Sequence, residues 1–307
     1  MRRLLMSKYL IINADDFGMC RGANLAVMDL LTDKDSALTS STVMTPCAWA
    51  PEACQFANKH PELAIGVHLT FTSEWSKYRW APVNTSNTDS LRDSEGFMFH
   101  ESDEFEKNAN VEEVIGEIKA QVARCKVLGL DNPSHLDNHM GSLYGIETGR
   151  FELLQATLGV CGELGLPFRL PSKITAEMFS NSMLEINIDA NMVNAAFGQI
   201  TGYADSLRVA LPDYLIPNEW GGPQDESYES FREYLLTMYV NMPEGITETY
   251  LHPSLETDDL KGTSSVWWRR TWEYKVMKDP ATKQHLEAHN IQLINYRDLA
   301  KMRGYAK

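Results

Sequence analysis

Two adjacent carboxylates, Asp15 and Asp16, stand where the apolar run Tyr9-Leu-Ile-Ile12 gives way to "ADDFG". Histidines and further acids gather at three other points: His68 in "GVHLTF", the set His135, Asp137 and His139 in "PSHLDNHMG", and His252 in "TYLHPS". A divalent cation would relieve the repulsion between neighbouring acids, with one carboxylate as ligand and the other left free as a base. One Asp and two His make a nitrogen/oxygen donor set suited to Zn²⁺ or Mn²⁺ and less typically to Mg²⁺. Three protein ligands leave room for water and substrate, which is the pattern of a catalytic rather than a structural metal. The competing explanation for "ADDFG" is helix capping by Asp. For "PSHLDNHMG" a helix would put His135 and His139 on one face at i, i+4, and an extended chain would put His135, Asp137 and His139 on one face at period two. Either geometry clusters them, with Asp137 suited to orienting a ligand imidazole. His252, stiffened by the following proline, could hand a proton to a leaving group. His60, His100, His285 and His289 fall in polar stretches and are expected at the surface.

The elements that must position these residues alternate in type. Strand-like runs at Tyr9–Asn13, Ala37–Met44, Leu63–Phe71, around "PSHLD", in the short "PFRLP" (167–171), at Ile246–Ser254 and at Ile291–Leu299 are interleaved with helical patterns at Gly22–Thr32, after Ala50, at Val111–Leu130, after Arg150 and at Ser227–Met242. About seven or eight β/α units favour an α/β barrel over an open sheet, and barrels carry their reactive groups at the carboxyl ends of strands. A single domain spanning 1–307 is expected, with insertions over the active-site face at approximately 72–110 and 172–225.

The 307 residues carry a formal net charge of -14, which disfavours nucleic acid and anionic membranes as partners. No run approaches the ~18 apolar residues of a membrane helix, and the basic start "MRRLLMSKYLII" reads as a leader into the first strand. Five scattered cysteines with no CxxC pair read as reduced thiols, hence a cytoplasmic location.

Taken together, "NADDFGMCRGANLAV", "ALTSSTVMTPCAWAPEA", "LAIGVHLTFT", "PSHLDNHMG", "FRLP", "TYLHPS" and "IQLINYRDL" resemble, in that order and over nearly the whole chain, the YdjC-like carbohydrate deacetylases, which include the chitooligosaccharide deacetylases. The resemblance implies a distorted (β/α) barrel related to the polysaccharide deacetylase (NodB-like) fold, one divalent metal ion (Mg²⁺ or Zn²⁺), and hydrolysis of an N-acetyl group on an amino sugar or short oligosaccharide. It implies Asp16, His68 and His135 as metal ligands, Asp15 as catalytic base, His252 as general acid and Arg169 as the group that orients Asp15 or lowers its pKa; a homodimer is implied too. The chain departs from the family pattern at Gly141, where a further histidine is common, and at Ser254, where Gly usually follows His-Pro. Both departures bear on the sugar rather than on the chemistry.

The expected reaction is metal-assisted amide hydrolysis. Trp75, Trp80, Trp267 and Trp268 are available for stacking on a sugar, although packing is the default role of each. The rivals are a phosphoesterase, an amidohydrolase acting on a non-sugar amide, and a non-catalytic carbohydrate-binding protein. The first would want a second metal or a basic phosphate clamp, and strand ends carry no Lys/Arg concentration beyond Arg169.

Overall fold

The computed structural model describes residues 7–173 and 190–305, so the middle of the expected insertion at 172–225 lies outside the described residues. Its centre is a sheet of seven parallel strands: β1 (Lys8–Phe17), β2 (Ser40–Val43), β3 (Ile65–Leu69), β4 (Leu136–Asn138), β5 (Tyr214–Leu215), β6 (Gly245–Leu251) and β7 (Ile291–Leu293). The order is β4-β3-β2-β1-β6-β5, with β7 beside the start of β1. The sheet curls, and irregular backbone completes the wall. Residues 167–173 hydrogen-bond to Leu136 on one side and to Ala210, Pro212 and Asp213 on the other, and Asp213 bonds to Ile246 of β6. The result is the distorted α/β barrel expected. "PFRLP" contributes to it by a single bridge, Leu136 to Phe168, rather than as a strand, since its two prolines remove ladder donors.

β1 is buried from Leu10 to Phe17, as a strand covered on both faces must be. Its two faces differ in kind. Leu10, Ile12 and Ala14 join the large apolar core shared with the surrounding helices. Ile11 packs inside the barrel with Ala210, Ile246, Tyr296 and Leu299. Above Ile11 at period two come Asn13 and then Asp15, whose side chains touch at 2.8 Å. The barrel therefore has an apolar floor and a polar upper interior.

The helices follow their capping signals. The first helix, α1 (Arg21–Thr32), is capped by Cys20, whose sulfur accepts from the Ala23 amide, so neither Asp15 nor Asp16 is spent as a cap. After α2 (Ala50–Lys59) and α3 (Ser102–Asn108), α4 (Val111–Leu128) starts at Asn110 and ends at Gly129 with φ +117°, a left-handed position that favours glycine. "IQLINYRDL" divides: after β7 the run stops at Asn295, which forms a capping box with Asp298 and opens a helix over Tyr296–Met302. The stretch 72–110 holds only a 3₁₀ turn and α3, and it lies across the mouth of the barrel beside β3 and β4. The described part of 172–225 holds the helix Ala190–Ser206 and the edge strand β5. No helix among the described residues is long and apolar enough to cross a membrane.

Candidate metal and catalytic site

The strand β1 breaks its own alternation where the two acids stand. Ala14 pairs with Ser41 and Phe17 with Val43, so three steps on β1 face two on β2. The extra residue forms a bulge. Asp16 takes a left-handed φ of +61°, uncommon outside glycine, which turns its carboxylate toward the same barrel mouth that Asp15 faces. Both are buried.

The two acids differ in what holds them. Asp15 takes a two-pronged contact from Arg169, Nη1 to Oδ2 and Nη2 to Oδ1, each 2.7 Å, plus Asn13 Nδ2 on Oδ1. Arg169 also reaches Asp137 at 2.9 Å and Glu248 at 2.8 Å, and lies over the Tyr250 ring. Asp16 receives Arg270 Nη1 on Oδ2 at 2.7 Å, while its Oδ1 is buried with no hydrogen-bond partner. Burial alone would raise the Asp16 pKa, but Arg270, His139 and His252 outweigh it and hold the carboxyl well below the usual range.

Two imidazoles face that unpartnered oxygen. His68, late in β3, keeps Nδ1 on Asp137 Oδ1 at 2.7 Å and turns Nε2 toward Asp16 Oδ1 at 3.6 Å. His139 follows β4, where Met140 (φ +52°) and Gly141 (φ +68°) bend the chain back over the mouth. Its Nε2 lies 3.1 Å from Glu74 Oε2, and its Nδ1 lies 3.5 Å from Asp16 Oδ1 and 3.3 Å from His68 Nε2. When the outer nitrogens donate to Asp137 and Glu74 and each ring carries a single proton, both inner nitrogens present lone pairs. Three acceptors then converge with no donor among them, an arrangement that calls for a cation or a proton.

The donor spacing fits a cation. Ligands 2.0–2.1 Å from a tetrahedral ion lie about 3.3–3.4 Å apart, against 3.3, 3.5 and 3.6 Å here. The surrounding charge fits too. Among the described residues, Asp15, Asp16 and Asp137 are buried together with Glu248 against two guanidiniums, Arg169 and Arg270, an excess of acid that a divalent ion would offset. Protons register the same excess: burial opposes charge on His139, yet Glu74 and Asp16 push its pKa up to about 10. A second group of possible ligands, Asp15, His68 and Asp137, surrounds space that the Arg169 guanidinium already neutralises.

His135 does not join this cluster, which corrects the ligand set Asp16, His68 and His135. The period-two reading of its face holds, because His135 packs inward against Gly66, where any Cβ would run into it. Depth is what separates it: four residues of strand span about 13 Å, so His135 lies at the barrel floor while His139 reaches the rim. There its ring stacks on Tyr296 with centroids 3.6 Å apart and planes 7° apart, and Nδ1 meets the Ser134 hydroxyl at 2.8 Å. Burial drives its pKa down to about 3, so it is a neutral packing residue.

Asp137 lies between these levels, bonded to His68, Thr42 and Arg169. His252 follows β6, half-buried beside Trp220 and Tyr250; its backbone amide donates to Glu273, and its Nδ1 has no partner among the described residues. Burial lowers its pKa to about 4 despite the pull of Asp16, which places it within electrostatic reach of that acid. His100, expected at the surface, is half-buried and bonded to Arg79 and the Glu74 carbonyl. Of the four tryptophans, Trp80 is buried, Trp268 packs edge-on to Trp272, Trp267 lies under Lys261, and Trp75 lines a cleft beside Glu74.

Sequence reasoning missed Glu74, Arg270 and Glu248. Glu248 had a signal: it precedes Tyr250 and His252 at period two, an acid within an apolar strand. Burial raises its pKa to about 7 against the opposing Arg169, and the Tyr296 hydroxyl donates to its other oxygen. Glu74 stands in an Asn/Ser/Asp-rich stretch, and Arg270 in a helix full of charges, where nothing marks one residue from the next.

The profile of the family described as "YdjC-like protein" matches residues 9–288. A carbohydrate deacetylase of Thermoanaerobacter pseudethanolicus is 25% identical over 94% of this chain and 98% of its own. One of Enterococcus faecalis is 28% identical over 96% of this chain and 100% of its own. A crystal structure of an Enterococcus faecalis V583 protein, named for cellobiose-phosphate cleavage, superposes with a TM-score of 0.72 at 27% identity, covering 95% of this chain and 99% of that one. With a family match across most of its length and a shared fold over nearly all of it, the chain belongs to the YdjC-like family.

Proposed function

We propose that this protein is a metal-dependent carbohydrate deacetylase that hydrolyses the N-acetyl group of an amino sugar or short oligosaccharide, releasing acetate. The observation that carries the reading is the convergence of Asp16 Oδ1, His68 Nε2 and His139 Nδ1, three acceptors without a donor, next to a carboxylate fixed by arginine. The relatives named carbohydrate deacetylases support the same substrate class.

Asp16, His68 and His139 would hold the cation, which when bound supplies acidification of water and polarisation of a carbonyl. Two nitrogens and the near-tetrahedral spacing favour Zn²⁺ over Mg²⁺, which prefers six oxygen-rich contacts. Arg169 fixes Asp15 at the mouth, where Asp15 would take the proton of the attacking water. The new bond joins water oxygen to the acetyl carbon, and the C–N bond breaks as the amine takes a proton. His252, within electrostatic reach of Asp16, would take a proton from solvent as negative charge builds beside it and pass that proton to the amine.

The phosphoesterase alternative loses ground at the centre, because Arg169 and Arg270 are both bound to carboxylates. The test is acetate release from N-acetylglucosamine oligomers by the purified protein, before and after chelation and with Zn²⁺ restored. Turnover that is lost on chelation and regained with Zn²⁺ is the expected result. Turnover indifferent to chelation, or none on any N-acetylated sugar, would sink the reading.

A further inference from the structure

Beside the cluster lies a cleft of about 450 Å³, with Glu74, Trp75 and Lys77 on one wall and Lys261 and Ser264 on the other. That volume is within the range of small-molecule sites. Two consecutive residues of its wall also touch the supports of the cation ligands. Glu74 is 19% exposed, and among the described residues only its Oε2 is engaged, by His139. Trp75 has the Arg270 guanidinium 6.0 Å from its ring centroid, and Arg270 holds Asp16. The Trp75 ring is itself braced by Trp80 and Tyr78. An aromatic face next to a carboxylate with a spare oxygen is suited to a sugar ring, which offers an apolar C–H face and hydroxyl donors.

Building on the deacetylase reading, we propose that Glu74 and Trp75 bind a pyranose ring of the substrate and, through Glu74–His139 and Trp75–Arg270–Asp16, make sugar binding and cation binding reinforce each other. A hydroxyl on the free Glu74 oxygen immobilises the carboxylate that fixes His139. A ring on Trp75 fixes the surface against which Arg270 rests. Glu74 is thereby both a specificity residue and a positioning residue for a metal ligand. Such coupling is reciprocal: the factor by which sugar tightens the cation is the factor by which the cation tightens the sugar.

The probe is cellobiose, which has sugar rings but no amide to hydrolyse and no amine to ligate the cation. Zn²⁺ is titrated calorimetrically into the metal-free full chain with and without saturating cellobiose, and cellobiose is titrated into both metal-free and Zn²⁺-loaded protein. Wild type should show Zn²⁺ affinity raised at least about fivefold by cellobiose, with the same factor in the reverse titration. Glu74→Gln should bind Zn²⁺ about 10–100-fold more weakly and show a coupling factor within about twofold of one. Trp75→Ala should lose cellobiose binding and, with it, any dependence of Zn²⁺ affinity on the sugar. Thermal melts of both variants confirm that they are folded. A coupling factor of one in wild type, wild-type coupling in Glu74→Gln, or no cellobiose binding at all would overturn the proposal. Because cellobiose cannot be deacetylated, an absence of acetate release would count against the deacetylase reading and leave this coupling to stand or fall by itself.

Discussion

The proposed site, with His139 rather than His135 beside Asp16 and His68, has a direct consequence for a pair of alanine variants. His139→Ala removes one of three donors. Four-ligand zinc sites bind with about 10–16 kcal/mol, so one donor is worth roughly 3 kcal/mol, or about two orders of magnitude in Kd. His135→Ala removes no donor. It empties a fully buried ring site and its stacking on Tyr296. Emptying a site of that size costs about 2–4 kcal/mol of stability, and relief of the unpartnered Nε2 offsets part of it. At about 2–4 °C per kcal/mol for a chain of this size, its melting point should fall by several degrees. The assay is Zn²⁺ titration of both metal-free variants together with melting with and without excess Zn²⁺. His139→Ala should lose most of the Zn²⁺-induced rise in melting temperature, and its metal-free melt should fall as well, because it too empties a buried ring site and frees Glu74. His135→Ala should melt low but keep the wild-type increment. The opposite pattern, with zinc lost by the His135 variant and kept by the His139 variant, would refute the depth argument and with it the placement of the cation.

Three further outcomes follow from the same geometry. Asp15→Asn should lower acetate release by about 10²–10⁴-fold with zinc content near wild type, since Asp15 is held by Arg169 and not by the ligand set; retained turnover removes it as the base. His252→Ala should slow amide cleavage by a similar factor but slow an aryl acetate far less, because a phenolate departs unprotonated; equal losses on both would deny it the role of acid. Removing the cation should destabilise the fold: at zinc a hundredfold above Kd the bound state gains about 2.7 kcal/mol, so a chelated protein that melts at an unchanged temperature would mean that nothing binds.

The barrel and the clustering were legible because alternation and strand ends are written in residue types. "YLIIN" reads as a strand covered on both faces, and it is one. The third member of the cluster was not legible for a geometric reason. Period two reports which face a residue takes, not how far along the barrel axis it lies, and His135 and His139 share the face and differ only in depth. The end of the chain misled in another way. "IQLINYRDL" has strand-like composition throughout, and only the capping pair Asn295 and Asp298 marks the switch to helix. Glu74 and Arg270 carry no local signature because their roles come entirely from contacts with distant segments, Glu74 with His139 and Arg270 with Asp16.

Why two acids stand together is answered by their arginines. Adjacent residues on a regular strand would face opposite ways, so a shared site required the bulge and the left-handed φ at Asp16, a conformation that costs on the order of 1–3 kcal/mol. What the strain secures is a division of labour. Arg169 grips both oxygens of Asp15 and, through Glu248 and Asp137, is itself held from below, so Asp15 is fixed in place with its Oδ2 3.9 Å from His68 Nε2. Arg270 grips one oxygen of Asp16 and leaves the other facing His68 and His139. The two carboxylates are not interchangeable: Asp15 has no oxygen free of arginine, whereas Asp16 keeps Oδ1 free of arginine and facing the two imidazoles. Neighbours in sequence are thus made chemically unlike by how many N–H groups of its own arginine each one meets.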